Sequence, residues 1–87
     1  MTYKEYVYNF ERTIWDIISN YIRDNTEVDD ADGILIDYRT HQILQTKRSE
    51  INGKRGDFYS MKSLMMIGED ELIPSSGIIS DIVSMYV

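Results

Sequence analysis

Residues 24–46 read DNTEVDDADGILIDYRTHQILQT, and the fold turns on where this stretch changes character. Its first third is acidic and polar. Gly33 then opens Ile34-Leu35-Ile36-Asp37-Tyr38, a short β-branched run of strand type. Arg39-Thr40-His41-Gln42 is polar and has the length of a turn, and Ile43-Leu44-Gln45-Thr46 resumes the apolar pattern. Two such runs around a four-residue connection predict an antiparallel β-hairpin.

The segment before it predicts a helix over residues 2–24. Apolar side chains fall at Tyr3, Val7, Phe10, Ile14, Ile17 and Tyr21, spacings of three and four that place them on one helical face. Thr2-x-x-Glu5 has the form of a capping box, in which the Thr hydroxyl accepts the Glu5 N–H. Trp15, Ile18 and Ile22 broaden the stripe. Such breadth suits core packing, and equally a core plus a partner seam. Tyr8 lies off the stripe, at the edge of the core or in an interface.

Beyond the hairpin, SEINGKRG (49–56) is a loop with Asn52-Gly53 at its turn, and Asp57-Phe58-Tyr59 is a candidate third strand. Ser60 is placed to cap a helix carrying Met61, Leu64, Met65 and Ile67, with Gly68 past its end. EDELIP (69–74) reads as an acidic connector. A last helix is capped by Ser75 or Ser76 and presents Ile78, Ile79, Ile82, Val83 and Tyr86 on one face. The expected architecture is α+β in a single domain, residues 1–87. It comprises a long N-terminal helix, a small antiparallel hairpin or meander, and two C-terminal helices packed on one face. A hairpin alone is marginal in water, so helices must cover it. One sheet edge then stays free, guarded by Lys47 and Arg48 or paired with a second chain.

Composition narrows the function classes. With 87 residues and no Cys, disulfides, thiolate metal sites and Cys nucleophiles are excluded. The opening M-T-Y-K-E shows no apolar leader core, and no run approaches the roughly 20 apolar residues of a membrane span; a cytoplasmic protein is expected. The net charge of −6 is segregated: residues 24–38 hold six acids and no base, whereas residues 39–62 hold six bases and two acids. Overall acidity argues against nucleic-acid binding, which needs many cations on one face.

Individual motifs weigh little. Set against a calcium loop with Gly33 at its sixth position, Asp30 and Asp32 match, but Val28 replaces the first ligand and Arg39 replaces the bidentate Glu. The acids read better as a solvated connector, and no metal or other cofactor is expected. Arg55-Gly56-Asp57 is a chance tripeptide, and Gly53-Lys54-Arg55 lacks the Ser/Thr of a phosphate loop. His41, the only histidine, falls in the predicted turn and is expected at the surface. No nucleophile elbow or paired-carboxylate pocket suggests an enzyme.

Two resemblances complete the reading. The order of hairpin, FYSMKSL, then PSSGIISDIVSMY over residues 33–87 resembles small uncharacterised bacterial α+β proteins, and implies no function. Phe58-Tyr59, an acidic stretch and Pro74-Ser75-Ser76-Gly77-Ile78-Ile79 are similar in order to bacteriocin immunity proteins, from whose four-helix pattern the hairpin 34–46 departs. That resemblance implies an acidic inhibitor of a nuclease toxin, with Phe58 and Tyr59 standing where a Tyr-Tyr pair meets the toxin. The expectation is therefore a non-enzymatic protein-interaction module that self-associates as a homodimer. The alternative is an acidic, immunity-like inhibitor of a basic partner. The partner-binding candidates are Asp29, Asp30, Asp32, Phe58 and Tyr59.

Overall fold

In the computed structural model, which describes residues 1–87, the apolar stripe at the N-terminus forms α1 (Tyr3–Asp24). Its start follows the capping pattern: Thr2 Oγ1 accepts the Glu5 N–H at 3.1 Å. At the other end Asn25 Nδ2 donates to the Tyr21 carbonyl at 2.9 Å, satisfying one of the acceptors that a helix terminus leaves open. Phe10, Ile14, Ile18 and Tyr21 form the buried face. Trp15, Ile17 and Ile22 flank it, partly buried against the core.

The hairpin forms where the pattern placed it, as β1 (Asp32–Ile36) and β2 (Ile43–Lys47), in register from Asp32↔Lys47 to Ile36↔Ile43. Residues 57–60 do make a strand, β3 (Asp57–Ser60), but it pairs with β1 and not with β2. The sheet order is β2-β1-β3, so β1 is central. Chemistry explains the placement. Strand β1 is apolar on both faces, with Ile34 and Ile36 turned to the helices and Leu35 to the other side, whereas β2 carries Gln45 and Lys47, which suit an edge. Gly33 is required by close approach, because a Cβ there would lie 2.1 Å from the Tyr59 carbonyl oxygen and 2.7 Å from Phe58 Cζ.

The segment 60–74 differs from the expected helix and connector. Ser60 caps a helix, accepting the Ser63 N–H at 3.2 Å, but α2 (Met61–Leu64) lasts a single turn. Met65 to Gly68 form β4 and Glu71 to Pro74 form β5, an antiparallel hairpin joined by Glu69-Asp70. Leu64-Met65-Met66-Ile67 is uniformly apolar, with no polar side to give a longer helix a solvent face. As strands, Met66 and Ile67 lie opposite Ile73 and Leu72, and the Ser75 N–H bonds Leu64 O at 2.8 Å to extend the ladder. Pro74 opposes Met65, a position that alternation leaves outside the ladder bonds, so its missing N–H costs nothing.

The last helix, α3 (Ser76–Tyr86), buries Ile79, Ile82, Val83 and Tyr86. Ile78, expected on the same face, is exposed. Helices α1 and α3 pack together, β5 lies along α1, and α2 sits at the end of β1 and β3. The inner side of the three-stranded sheet thus faces the helical layer, with Ile14, Ile18, Ile34, Ile36, Met61, Leu64 and Ile79 fully buried between them. No helix is long and apolar enough to cross a membrane.

The β4–β5 turn stores a local cost. Glu69 and Asp70 both have positive φ, 35° and 76°, the pattern of a type I′ turn, which favours Asn-Gly. Replacing the pair (Glu69→Asn with Asp70→Gly) is expected to stabilise the fold by about 1 kcal/mol. The readout is a higher urea midpoint at unchanged slope.

Candidate functional site

The sequence-predicted partner residues separate into three places. Asp29, Asp30 and Asp32 come together around a cleft of about 520 Å³ at the C-terminal end of α1, lined also by Glu27, Val28 and Tyr21. Lys62 is the one cationic side chain on its wall. Asp29 Oδ1 accepts the Ala31 N–H at 2.8 Å, an Asx turn that leads the chain into β1. The Tyr21 hydroxyl donates to Asp32 Oδ2 at 3.3 Å. Burial first, then the Asp32 carboxylate, holds this phenol protonated above its ordinary range. No three His, Asp or Glu side chains converge closely enough to hold a metal ion.

Phe58 and Tyr59 do not share a surface, because successive strand residues point to opposite faces. Tyr59 faces the helices, and its hydroxyl lies 3.3 Å from that of Tyr86. Tyr86 in turn donates to Asp57 Oδ2. Burial, followed by Asp57, pushes the Tyr86 phenol well above its usual range. Phe58 lies on the outer face, where the Arg48 guanidinium sits 4.8 Å above the ring centroid.

His41, expected at the surface, is half-buried. Its Nδ1 is 2.9 Å from the Tyr6 hydroxyl, and its ring meets Phe10 and Tyr86 edge-on, with centroids 6.4 and 5.7 Å away. The reason is the turn geometry. Asp37 Oδ1 accepts the N–H groups of Arg39 and Thr40, and the His41 N–H donates to the Asp37 carbonyl at 2.7 Å. This knot sets His41 at φ 60° and folds its ring inward. Nothing in the local composition signals that, since the pocket receiving the ring is built from α1 and α3.

The helices cover one face of the three-stranded sheet. On the other, Leu35 lies between its cross-strand partners Leu44 and Phe58. Leu35 is 6% exposed and Leu44 is 48% exposed. Lys54 and Arg55 border a shallow cleft of about 260 Å³ beside Leu35 and Leu44. Three bases of the middle segment, Arg48, Lys54 and Arg55, therefore border the open sheet face, while Lys62 joins the acids at the α1–β1 junction.

The β2 edge adjoins this face. The Arg48 N–H donates to Ala31 O at 2.6 Å, and the Asp37 N–H donates to Gln42 O at 2.9 Å. Bonded and non-bonded pairs alternate along an antiparallel ladder. Gln42, Leu44, Thr46 and Arg48 therefore turn their backbone groups to β1, and Ile43, Gln45 and Lys47 turn theirs outward. No strand of the chain pairs with that edge. Of the two expected edge guards, Arg48 is folded back over Phe58, which leaves Lys47. Alternation along 43–47 carries this signal in the sequence once β2 is known to be an edge.

The turn knot also makes a pH prediction. Arg55 Nε donates to Asp37 Oδ2 at 2.9 Å and is the largest of the influences, with the Arg39 and Thr40 N–H groups, that lower the carboxyl to about 2. A carboxyl whose folded value is depressed stabilises the fold fully above its unfolded value and loses that contribution as pH falls toward the folded one. Arg55→Ala should therefore be less stable than the parent at pH 7 and at pH 5. The difference should vanish as the pH falls from about 4 to about 2, measured by urea denaturation at each pH.

No protein-family model, no curated protein and no solved structure matches the chain.

Proposed function

We propose that this chain is a non-enzymatic protein-interaction module that associates with itself through the free edge of its three-stranded sheet. One observation carries the reading. Ile43, Gln45 and Lys47 present three successive outward N–H and C=O pairs on an edge that no other strand covers. Leu44, half-exposed, stands beside them on the open face. Open strand edges are templates for another strand, and native folds usually blunt them with charge, Pro or a covering element. Here one Lys is all that serves.

A second reading has its own observation. Glu27, Asp29, Asp30 and Asp32 surround one cleft in which Lys62 is the sole cation, an arrangement suited to a basic protein partner of an acidic inhibitor. The chemistry of the other groups agrees with a binding role for either surface. The carboxylates of Asp29 and Asp30 stand exposed in solvent, and a His41 ring nitrogen is already engaged by Tyr6.

Sedimentation equilibrium from about 10 µM to about 1 mM tests self-association, since the low end of interface sizes corresponds to affinities in this range. A mass rising from monomer toward dimer is expected, and a strict monomer at the highest concentration overturns the reading. The triple variant Asp29→Asn, Asp30→Asn, Asp32→Asn should leave that rise unchanged. If it abolishes the rise, the acidic cleft is the contact and not the strand edge.

A further inference from the structure

We infer that two copies pair β2 with β2 antiparallel about a two-fold axis centred on Gln45, making one six-stranded sheet. The inference rests on the self-association proposed above and specifies its register.

The edge itself selects the strand. On β3 only Phe58 and Ser60 turn outward, and Ser60 is occupied in capping α2. In the second sheet, β5 lies along α1 and ends in Pro74, which has no N–H to give. Strand β4 offers the Met65 and Ile67 backbones, but its Met65 side chain is buried in the core. Only β2 offers three outward residues in succession.

The occupant follows from self-complementarity. Outward groups fall on odd positions, so two β2 strands bond only where odd residues face odd residues. Centring on Gln45 sets Ile43 against Lys47 of the second copy, Gln45 against Gln45, and Leu44 against Thr46. All three outward pairs are then used, giving about six backbone hydrogen bonds. The Ile43 side chain packs on the Lys47 stem, and the Gln45 amides can bond each other across the axis.

Charge then decides between registers. In the Gln45-centred pairing the two Lys47 residues are four positions apart along the strand direction, about 14 Å at ~3.4 Å per residue and ~4.8 Å between strands. That exceeds the ~8 Å screening length at physiological salt. A register centred on Lys47 sets the two ammonium stems about 5 Å apart and uses fewer pairs, so it loses on both counts. A register centred on Ile43 reaches into His41, whose positive φ is not extended. A two-fold contact also closes on itself, so the product is a dimer and not a fibre. The open faces join, bringing the Leu44 side chains of the two copies to diagonal positions and extending the Leu35–Phe58 cluster across the axis. Strand pairing with this modest side-chain contact is small for a specific interface, so the dimer dissociates on dilution.

The chain has no cysteine, which makes the register directly testable. Residues facing each other in a bonded antiparallel pair have Cα atoms about 5.5 Å apart, inside the range a disulfide spans. Under mild oxidation at dimer-forming concentration, Gln45→Cys should form a linked dimer at least about tenfold faster than Lys47→Cys, whose sulfurs stay about 14 Å apart. In parallel, Gln45→Pro removes only an outward N–H, so it should keep the circular dichroism spectrum of the parent and sediment as a monomer. Equal linking rates, or faster linking of Lys47→Cys, overturn the register. A dimer in sedimentation that neither cysteine links, and that Gln45→Pro leaves intact, overturns strand pairing while self-association stands. A parent protein that stays monomeric overturns both.

Discussion

The packing of α1 onto the inner face of β1 is the interaction on which the rest depends. Ile14 and Ile18 from the helix and Ile34 and Ile36 from the strand are all fully buried in one cluster. Removing an aliphatic side chain from water is worth about 1.5–3 kcal/mol. These four together reach about 6–12 kcal/mol, comparable with the whole net stability of a small domain. The other elements complete this layer: α3 lies beside α1, α2 seals its end, and the β4–β5 hairpin extends along the helix.

Burial on one side leaves the other side of the sheet for solvent or a partner. The helices are too few to cover both faces, so Leu35 must find shelter on the open face from its neighbours Leu44 and Phe58 and from the Arg48 guanidinium above Phe58. The same shortage exposes the β2 edge. Charge follows the layers as well. Acids collect where α1 ends and at the β4–β5 turn, while Arg48, Lys54 and Arg55 rim the open sheet face. The surface is therefore polarised even though the overall charge is −6. Each of the two functional readings takes one pole of this arrangement, and both are binding readings.

Much of the frame was legible before any coordinates. The three-and-four spacing in residues 3–21 specified α1, and Thr2-x-x-Glu5 specified its start. The apolar runs on either side of Arg39-Thr40-His41-Gln42 specified the first hairpin. Residues 65–74 were not legible, for a physical reason. Leu64-Met65-Met66-Ile67 is apolar at every position, so neither a period of 3.6 nor a period of two emerges. The turn that would have announced a hairpin uses Glu69-Asp70, residues that only tertiary context holds at positive φ. The candidate partner residues show the same limit. The clustering of Asp29, Asp30 and Asp32 is visible as composition, whereas which of Phe58 and Tyr59 faces the helices emerges only once strand β3 is in place.

The acidic stretch and hairpin of residues 24–46 divide the matter clearly. Sequence alone determined that the helix stops there, that Gly33 opens a strand, and that calcium-loop ligands are missing at Val28 and Arg39. These are local properties, set by side-chain type, spacing and backbone permissiveness. Tertiary structure decided that β1 takes the centre of the sheet, that His41 turns inward to Tyr6 and Phe10, and that β2 is left as an open edge. Those outcomes depend on which surfaces far apart in the chain exclude the most water together. That sum is taken over the whole molecule, and no single segment encodes it.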